Sequence, residues 1–319
     1  MGRRVLVTGA AGYLGSQLVT ALERDFRDRW DLLVATDVRD PPARRVGFGA
    51  TWERMDVRAA ELRDLMARHR IDTVVHLASI VTPGKDSSRE FEYSVDVLGT
   101  RNLLEAAVRT GVRRVVVTSS GAAYGYHPDN PEWLTEDHPL RGNPEFAYSD
   151  HKRQVEEMLA DFRERHPQLE QVVFRVGTIL GEGTRNQITA LFERARPIVV
   201  TGAASPFVFI WDQDVVGCLI RALTDGPPGI YNVAGDGTMT MAEIVAALGK
   251  RPRRIPARLL RTALAVLKPL RLSPYGPEQV GFLQYRPVLD NSRLKAVFGY
   301  VPKKTSREAF EVWRQAAQA

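Results

Sequence analysis

Tyr148 and Lys152 stand four residues apart in Tyr148-Ser149-Asp150-His151-Lys152. On a helix that spacing puts both side chains on one face. A free phenol titrates near ~10 and is a poor base at neutral pH, but a neighbouring ammonium favours its phenolate. Lowering that pKa by ~3 units takes ~4 kcal/mol of differential stabilisation. A phenol tuned in this way can exchange a proton with a hydroxyl group. The same spacing also suits an ordinary surface pair, so the surroundings must decide. The pair falls between two apolar runs, Arg114–Ser119 and Val172–Val176, and that position favours the chemical reading.

A second motif lies near the N-terminus. Gly9, Gly12 and Gly15 form GxxGxxG in Thr8-Gly9-Ala10-Ala11-Gly12-Tyr13-Leu14-Gly15, between an apolar run and an amphipathic stretch. At such a strand-to-helix corner, glycine lets the backbone turn tightly, approach a pyrophosphate and pack helix on strand. The helix start offers free N–H groups and partial positive charge to phosphates. Asp37 follows 22 residues after Gly15, at the end of the next apolar run. An acid there accepts hydrogen bonds from adenosine ribose hydroxyls and repels a 2′-phosphate. The pattern points to a dinucleotide and favours NAD over NADP. Arg39, Arg44 and Arg45 keep NADP open as the second choice. With a nicotinamide ring in place, hydride transfer at C4 couples to proton exchange at Tyr148.

The elements that would position these groups are legible as a repeating pattern. Candidate strands are Arg4–Thr8, Leu32–Thr36, Thr73–Leu77, Arg114–Ser119 and Val172–Val176, most of them rich in valine. Runs that are apolar throughout suit strands covered on both faces of a parallel sheet. Helix-length segments lie between them at 14–24, 59–70 and 91–110, the last ending at Gly111, a suitable C-cap. The alternation predicts an α/β chain with a doubly wound parallel sheet. After about Gly177 it becomes irregular, and prolines and glycines accumulate. We therefore expect a nucleotide-binding domain over residues 1–176 and a smaller, mixed substrate-binding region over 177–319. Phe207–Trp211 and Ile230–Asn232 are expected to return to the first domain as strands. Phe207, Phe209 and Trp211 alternate as a strand would. Core packing is the plainer reading, and an apolar substrate wall the sharper one.

Composition narrows the class. The 319 residues are 44% apolar and 26% charged, ordinary values for a soluble globular chain. The net charge is +6 and the pI about 9.5, but the basic residues are dispersed and no folded nucleic-acid reader is evident. A single cysteine, Cys218, excludes an internal disulfide; it sits in an apolar run and reads as a buried space-filler. There is neither an HExxH nor a paired CxxC, so no metal is expected. The start of the chain lacks a signal-peptide pattern, and no window approaches a membrane span, so a cytoplasmic protein without stable membrane insertion is expected. Pro256 to Leu272 places leucines at helical spacing among Arg258, Arg261, Lys268 and Arg271. Most such helices pack on a core with their charges solvated. A lid over a lipophilic substrate or a membrane-surface helix is the alternative.

Taken in order, these segments resemble the extended short-chain dehydrogenase/reductase family, of the NAD-dependent epimerase/dehydratase type. The matches are the glycine motif, Asp37, Asp56-Val57, His76-Leu77-Ala78-Ser79, Gly99 to Ala106, Thr118 to Gly125, Tyr148 to Lys152 and Arg175-Val176-Gly177-Thr178. They span about residues 4–181. The resemblance implies a Rossmann-type fold and a Ser-Tyr-Lys site of Ser120, Tyr148 and Lys152, with Ser119 as a neighbouring alternative to Ser120. It implies cofactor contacts at Gly9, Gly12, Tyr13, Leu14, Gly15, Asp37, Asp56, Val57, Leu77, Ala78, Ser79, Thr118, Tyr148 and Lys152. Ser120, Gly121, Thr178 and Phe207 would meet the substrate, a small alcohol or ketone or a sugar nucleotide. Helices near 91–110 and 145–166 would pair in a homodimer.

Departures from the family matter for the substrate. Gly121 and Ala122 stand where the family's dehydratases carry an Asp-Glu pair, so a 4,6-dehydration lacks its extra acid and base. Phe207 stands where nucleotide-sugar enzymes carry a diphosphate-binding arginine, a charged partner worth about 1.5–3 kcal/mol. Asp96 replaces the usual asparagine. The implied activity is NAD-dependent hydride transfer at a secondary alcohol or ketone carbon. The alternatives are a nucleotide-sugar 4-epimerase with no net redox change and a non-catalytic dinucleotide-binding regulator.

Overall fold

The computed structural model describes residues 3–25, 29–41, 49–82, 84, 87–202, 204–270, 272, 276–277 and 279–318. Arg44, Arg45 and Arg271 lie outside them. In chain order, β1 (Arg3–Thr8), α1 (Tyr13–Asp25), β2 (Trp30–Asp37), β3 (Thr51–Arg54), α2 (Glu61–Arg68) and β4 (Thr73–His76) form the first half of the sheet and its crossovers. Next come α3 (Arg89–Tyr93), α4 (Gly99–Thr110), β5 (Arg114–Ser120), α5 (Ala147–Arg165) and β6 (Glu170–Val176). The remainder holds β7 (Thr178–Leu180), α6 (Gln187–Glu193), β8 (Ile198–Thr201), β9 (Pro206–Phe207), β10 (Phe209–Trp211), α7 (Asp212–Leu223), β11 (Gly229–Val233) and β12 (Met239–Thr240). It closes with α8 (Met241–Ala247), β13 (Arg253–Pro256), α9 (Ala257–Leu267), α10 (Gln279–Gln284) and α11 (Ser306–Gln318).

Seven strands form one parallel sheet in the order β11-β6-β5-β4-β1-β2-β3. Strand alternation explains the two layers. Val5 and Val7 face the core under α1 and α7, whereas Leu6 joins the opposite core against α2, α4 and α5. In β5, Val116 points one way and Val115 and Val117 the other. The chain reverses direction across the sheet between β1 and β4. In such sheets, ligands bind at the carboxyl ends of the strands beside that reversal.

Four local findings differ from or extend the sequence expectation. β3 has no counterpart among the expected strands; its four residues are half exposed at the sheet edge and carry no apolar run. The segment 91–110 is not one helix: a π-helical turn over Ser94–Leu98 separates α3 from α4, and Gly111 caps α4 at φ 76°. The segment Phe207–Trp211 does not return to the main sheet. It splits into β9, antiparallel to β12, and β10, parallel to β7. There Phe207 and Phe209 bury their rings with Phe192, Phe310 and Trp313, an aromatic core the main sheet does not provide. By contrast, α7 packs beside α1 and β11 forms the edge of the seven-stranded sheet. The chain therefore crosses back after residue 177 through 212–233.

Cys218 is buried in the α7 core, and burial pushes its thiol pKa well up. Among the described residues no helix is long and apolar enough to cross a membrane, and no cluster of acids, histidines and cysteines could hold a metal ion.

Candidate active site

A cavity of about 950 Å³ opens along the carboxyl ends of β1, β2, β4 and β5 and continues under β9 and α10. At one end the glycine corner fits a phosphate chain. Gly9 takes φ +67°, and a Cβ there would stand 2.6 Å from the Ala78 nitrogen. A Cβ on Gly15 would meet the Gly9 carbonyl oxygen at 2.2 Å. Only glycine permits this approach of α1 to the sheet, and Gly12, Tyr13 and Leu14 at the start of that helix line the cavity.

Asp37 ends β2 and is buried. One carboxylate oxygen accepts the Ala11 N–H at 3.0 Å, and the other accepts the Arg39 N–H at 3.0 Å. Arg39, largely exposed, folds back on the same carboxylate at 3.1 Å. Asp56 and Val57 lie on the same wall, and an Arg58 hydrogen bond holds the Asp56 carboxyl below its ordinary range. Leu77, Ala78 and Ser79 continue that wall from the end of β4. Tyr13 turns outward from the helix start: its hydroxyl donates to Asp212 at 2.7 Å and meets the Thr184 hydroxyl at 2.9 Å. It thereby ties the glycine corner to the second half of the chain.

Deeper in the cavity, Tyr148 and Lys152 project from the first turns of α5 and Ser120 from the end of β5. The Lys152 ammonium lies 5.7 Å from the centre of the Tyr148 ring, and it donates to the Thr118 carbonyl at 3.2 Å. The Ser120 hydroxyl accepts the Ala122 N–H at 3.1 Å, leaving its own proton free to donate. The neighbouring Ser119 is committed elsewhere. Its hydroxyl donates to Glu156 at 2.5 Å, and Glu156 pairs with Arg175 at 2.8 Å in a buried network. Both serines line the cavity, and of the two it is Ser120 whose hydroxyl proton is not already donated. Gly121 and Thr178 also line it.

Asp96 lies under this floor in the π-helical turn. One oxygen accepts the Ile80 N–H at 2.8 Å, and the other is 3.8 Å from His151 Nδ1. Burial opposes its charge, but His151 and Lys152 hold its carboxyl below the ordinary range.

The far end of the cavity holds a group that sequence reasoning missed. Arg286 is buried, with its guanidinium 4.0 Å from the centre of the Phe207 ring and 4.1 Å from that of Phe282. Its Nε and Nη2 are buried without a hydrogen-bond partner among the described residues, and burial lowers its pKa to about 10. Phe207, read as the loss of a diphosphate partner, therefore supports a cation delivered from 79 positions later in the chain. Tyr126, Phe146 and Phe282 form an aromatic cluster between Arg286 and Tyr148. No local pattern in Tyr285-Arg286-Pro287 marks that arginine; only the fold brings it here.

A doubly wound parallel sheet with a glycine-cornered helix start beside a half-buried serine and tyrosine and a buried lysine defines a Rossmann-type α/β protein. The chain belongs to the NAD dependent epimerase/dehydratase family, whose model matches residues 5–234. It is similar to the UDP-glucose 4-epimerase of Mycolicibacterium smegmatis, at 30% identity over 322 residues covering 94% of each chain. It is 26% identical over 313 residues to an uncharacterised protein of Mycobacterium tuberculosis, across 96% of this chain and 82% of that one. Among solved structures, MoeE5 in complex with UDP-glucuronic acid and NAD aligns with a TM-score of 0.73 at 26% identity, covering 99% of both chains.

Proposed function

We propose that this protein is an NAD-dependent enzyme acting at a secondary alcohol carbon of a diphosphate-linked sugar, and that it returns the hydride to give the epimer. The observation that carries the substrate class is Arg286. A buried guanidinium with unpaired donors on a cavity wall is costly unless an anionic group completes it. UDP sugars, bound by MoeE5 and used by the smegmatis epimerase, have such a group in their diphosphate.

NAD, when bound, supplies the hydride acceptor and donor. The first N–H groups of α1 would hold its pyrophosphate and Asp37 its adenosine ribose. Asp56 and Val57 would flank adenine, with Leu77, Ala78, Ser79 and Thr118 along the groove. Lys152 would hold the nicotinamide ribose beside Tyr148. Tyr148 then takes the proton of the substrate hydroxyl, and Ser120 donates a hydrogen bond to the same oxygen. For epimerisation the oxidised ring must turn within the cavity and present its other face before reduction. The aromatic cluster of Tyr126, Phe146 and Phe282 offers a smooth wall for that turn. Gly121, Thr178 and Phe207 complete the substrate side. A homodimer through α4 and α5 belongs to the same reading.

The test is incubation of the protein and NAD with UDP-glucose and other UDP sugars, with NADH followed by absorbance and isomers by NMR. Epimer without net NADH supports the epimerase; NADH accumulating in step with substrate loss replaces it with a dehydrogenase. The Tyr148→Phe variant should lose about 10²–10⁴-fold in turnover while binding NAD as before. Unchanged turnover removes Tyr148 from the mechanism. Lack of NAD binding at any attainable concentration removes the whole proposal.

A further inference from the structure

Between Glu243 and Glu278 the chain carries no acidic residue and eight basic ones, from Lys250 to Arg271. The centre of this stretch is α9, whose apolar residues face two ways. Leu260 and Leu264 pack inward with Val200, Val280 and Leu283. Leu259, Val266 and Leu270, at helical spacing on another side, are 61%, 56% and 61% exposed, with Ala263 exposed between them. Arg254, Arg258 and Arg261 are exposed beside this stripe.

A solvated surface helix has no use for three bare aliphatic side chains in a row, and a purely electrostatic nucleic-acid site has none either. Exposed aliphatic side chains combined with charge of one sign fit a surface that is anionic at its rim and apolar just beneath. We propose that α9 and the basic strand before it dock on an anionic lipid bilayer, with Leu259, Val266 and Leu270 entering the headgroup boundary and the arginines meeting lipid phosphates. The helix lies on the interface and does not span it. Its inner face rests on α10, which carries Phe282 into the cavity wall, so the docked surface is one helix removed from the site. The proposal does not depend on which reaction that site performs.

The test is flotation of the full-length protein with vesicles of equimolar phosphatidylglycerol and phosphatidylcholine, against phosphatidylcholine alone, at low and high salt. The protein should float with the anionic vesicles only, and less at high salt. Leu259→Ser with Val266→Ser, and separately Arg258→Gln with Arg261→Gln, should each lower the bound fraction at least about tenfold. Thermal midpoints should not move, because all four positions are exposed. The proposal is overturned if anionic vesicles fail to retain the protein at low salt, or if both pairs of substitutions float like the parent. It is also overturned if the leucine and valine substitutions instead dissociate a larger species in sedimentation velocity, since the stripe would then join copies of the chain. Equal retention of parent and serine variant on an RNA homopolymer, with RNA displacing the vesicles, would assign the patch to charge alone and overturn it too.

Discussion

At the residue scale, the proposed function can be tested at two neighbouring hydroxyls and one distant cation. Ser119 and Ser120 are adjacent in β5, so the pleat turns them to opposite faces. Both line the cavity, but the Ser119 hydroxyl donates to Glu156, whereas the Ser120 hydroxyl accepts the Ala122 N–H and keeps its own proton. We expect Ser120→Ala to lower turnover by about 10²–10³-fold with a modest stability change. Ser119→Ala should do the reverse, leaving turnover near the parent value and costing about 1–3 kcal/mol of unfolding free energy. Steady-state kinetics and urea denaturation on both variants decide it. Arg286→Met keeps bulk between Phe207 and Phe282 but removes the donors. It should raise KM for a UDP sugar about 10- to 150-fold, the value of 1.5–3 kcal/mol, and leave NAD affinity unchanged. An unaltered KM would mean that Arg286 never meets the diphosphate.

At the element scale, α5 must be held against β5 and β6 for Tyr148 and Lys152 to face Ser120. The clamp is the buried Glu156–Arg175 pair, in which Arg175 Nε lies 2.9–3.0 Å from both carboxylate oxygens and Nη1 reaches the Tyr124 hydroxyl at 2.8 Å. Removing one member of such a pair leaves a buried charge uncompensated. Glu156→Ala should therefore cost about 3–5 kcal/mol, read from the urea midpoint. It should also lower turnover although Glu156 touches no substrate. Loss of stability below about 1 kcal/mol would show that Arg175 finds another partner. The glycine corner holds α1 against the sheet through absent side chains, and its glycine spacing together with the flanking strand and helix patterns makes it legible in the sequence.

At the scale of the whole molecule, the β1–β4 seam carries a buried titratable group, His76, whose protonation should cost stability in acid. His76 is buried between the hydroxyls of Thr8 at 2.8 Å and Thr100 at 3.0 Å, and Thr100 donates its own proton to the Asp96 carbonyl at 2.5 Å. The ring is therefore the neutral Nε2–H form, accepting at Nδ1. Burial first, and then Lys152, lower its pKa from 6.5 to about 4. The unfolded ring binds a proton near 6.5 and the folded ring only near 4, so the native state keeps its advantage above 6.5 and loses it as pH falls toward 4. The loss from this group approaches about 3 kcal/mol, at up to about 1.4 kcal/mol per pH unit. Urea denaturation across that window should show the slope, and His76→Gln should flatten it. A variant slope equal to the parent's would assign acid sensitivity to other groups.

The sequence by itself determined the parallel sheet, the glycine corner, Asp37 and the Tyr148–Lys152 pair. Each rests on a short-range rule: apolar runs between helix-length segments, the turn only glycine allows, or the four-residue spacing of a helix face. Tertiary structure decided what depends on separation in space. It committed the Ser119 hydroxyl to Glu156, broke 91–110 with a π-turn, and diverted Phe207–Trp211 from the main sheet into an aromatic core. It also set Arg286 on Phe207. That last contact joins residues far apart in the chain, where no periodicity operates and only the packing of the second half against the first can bring a cation to the cavity.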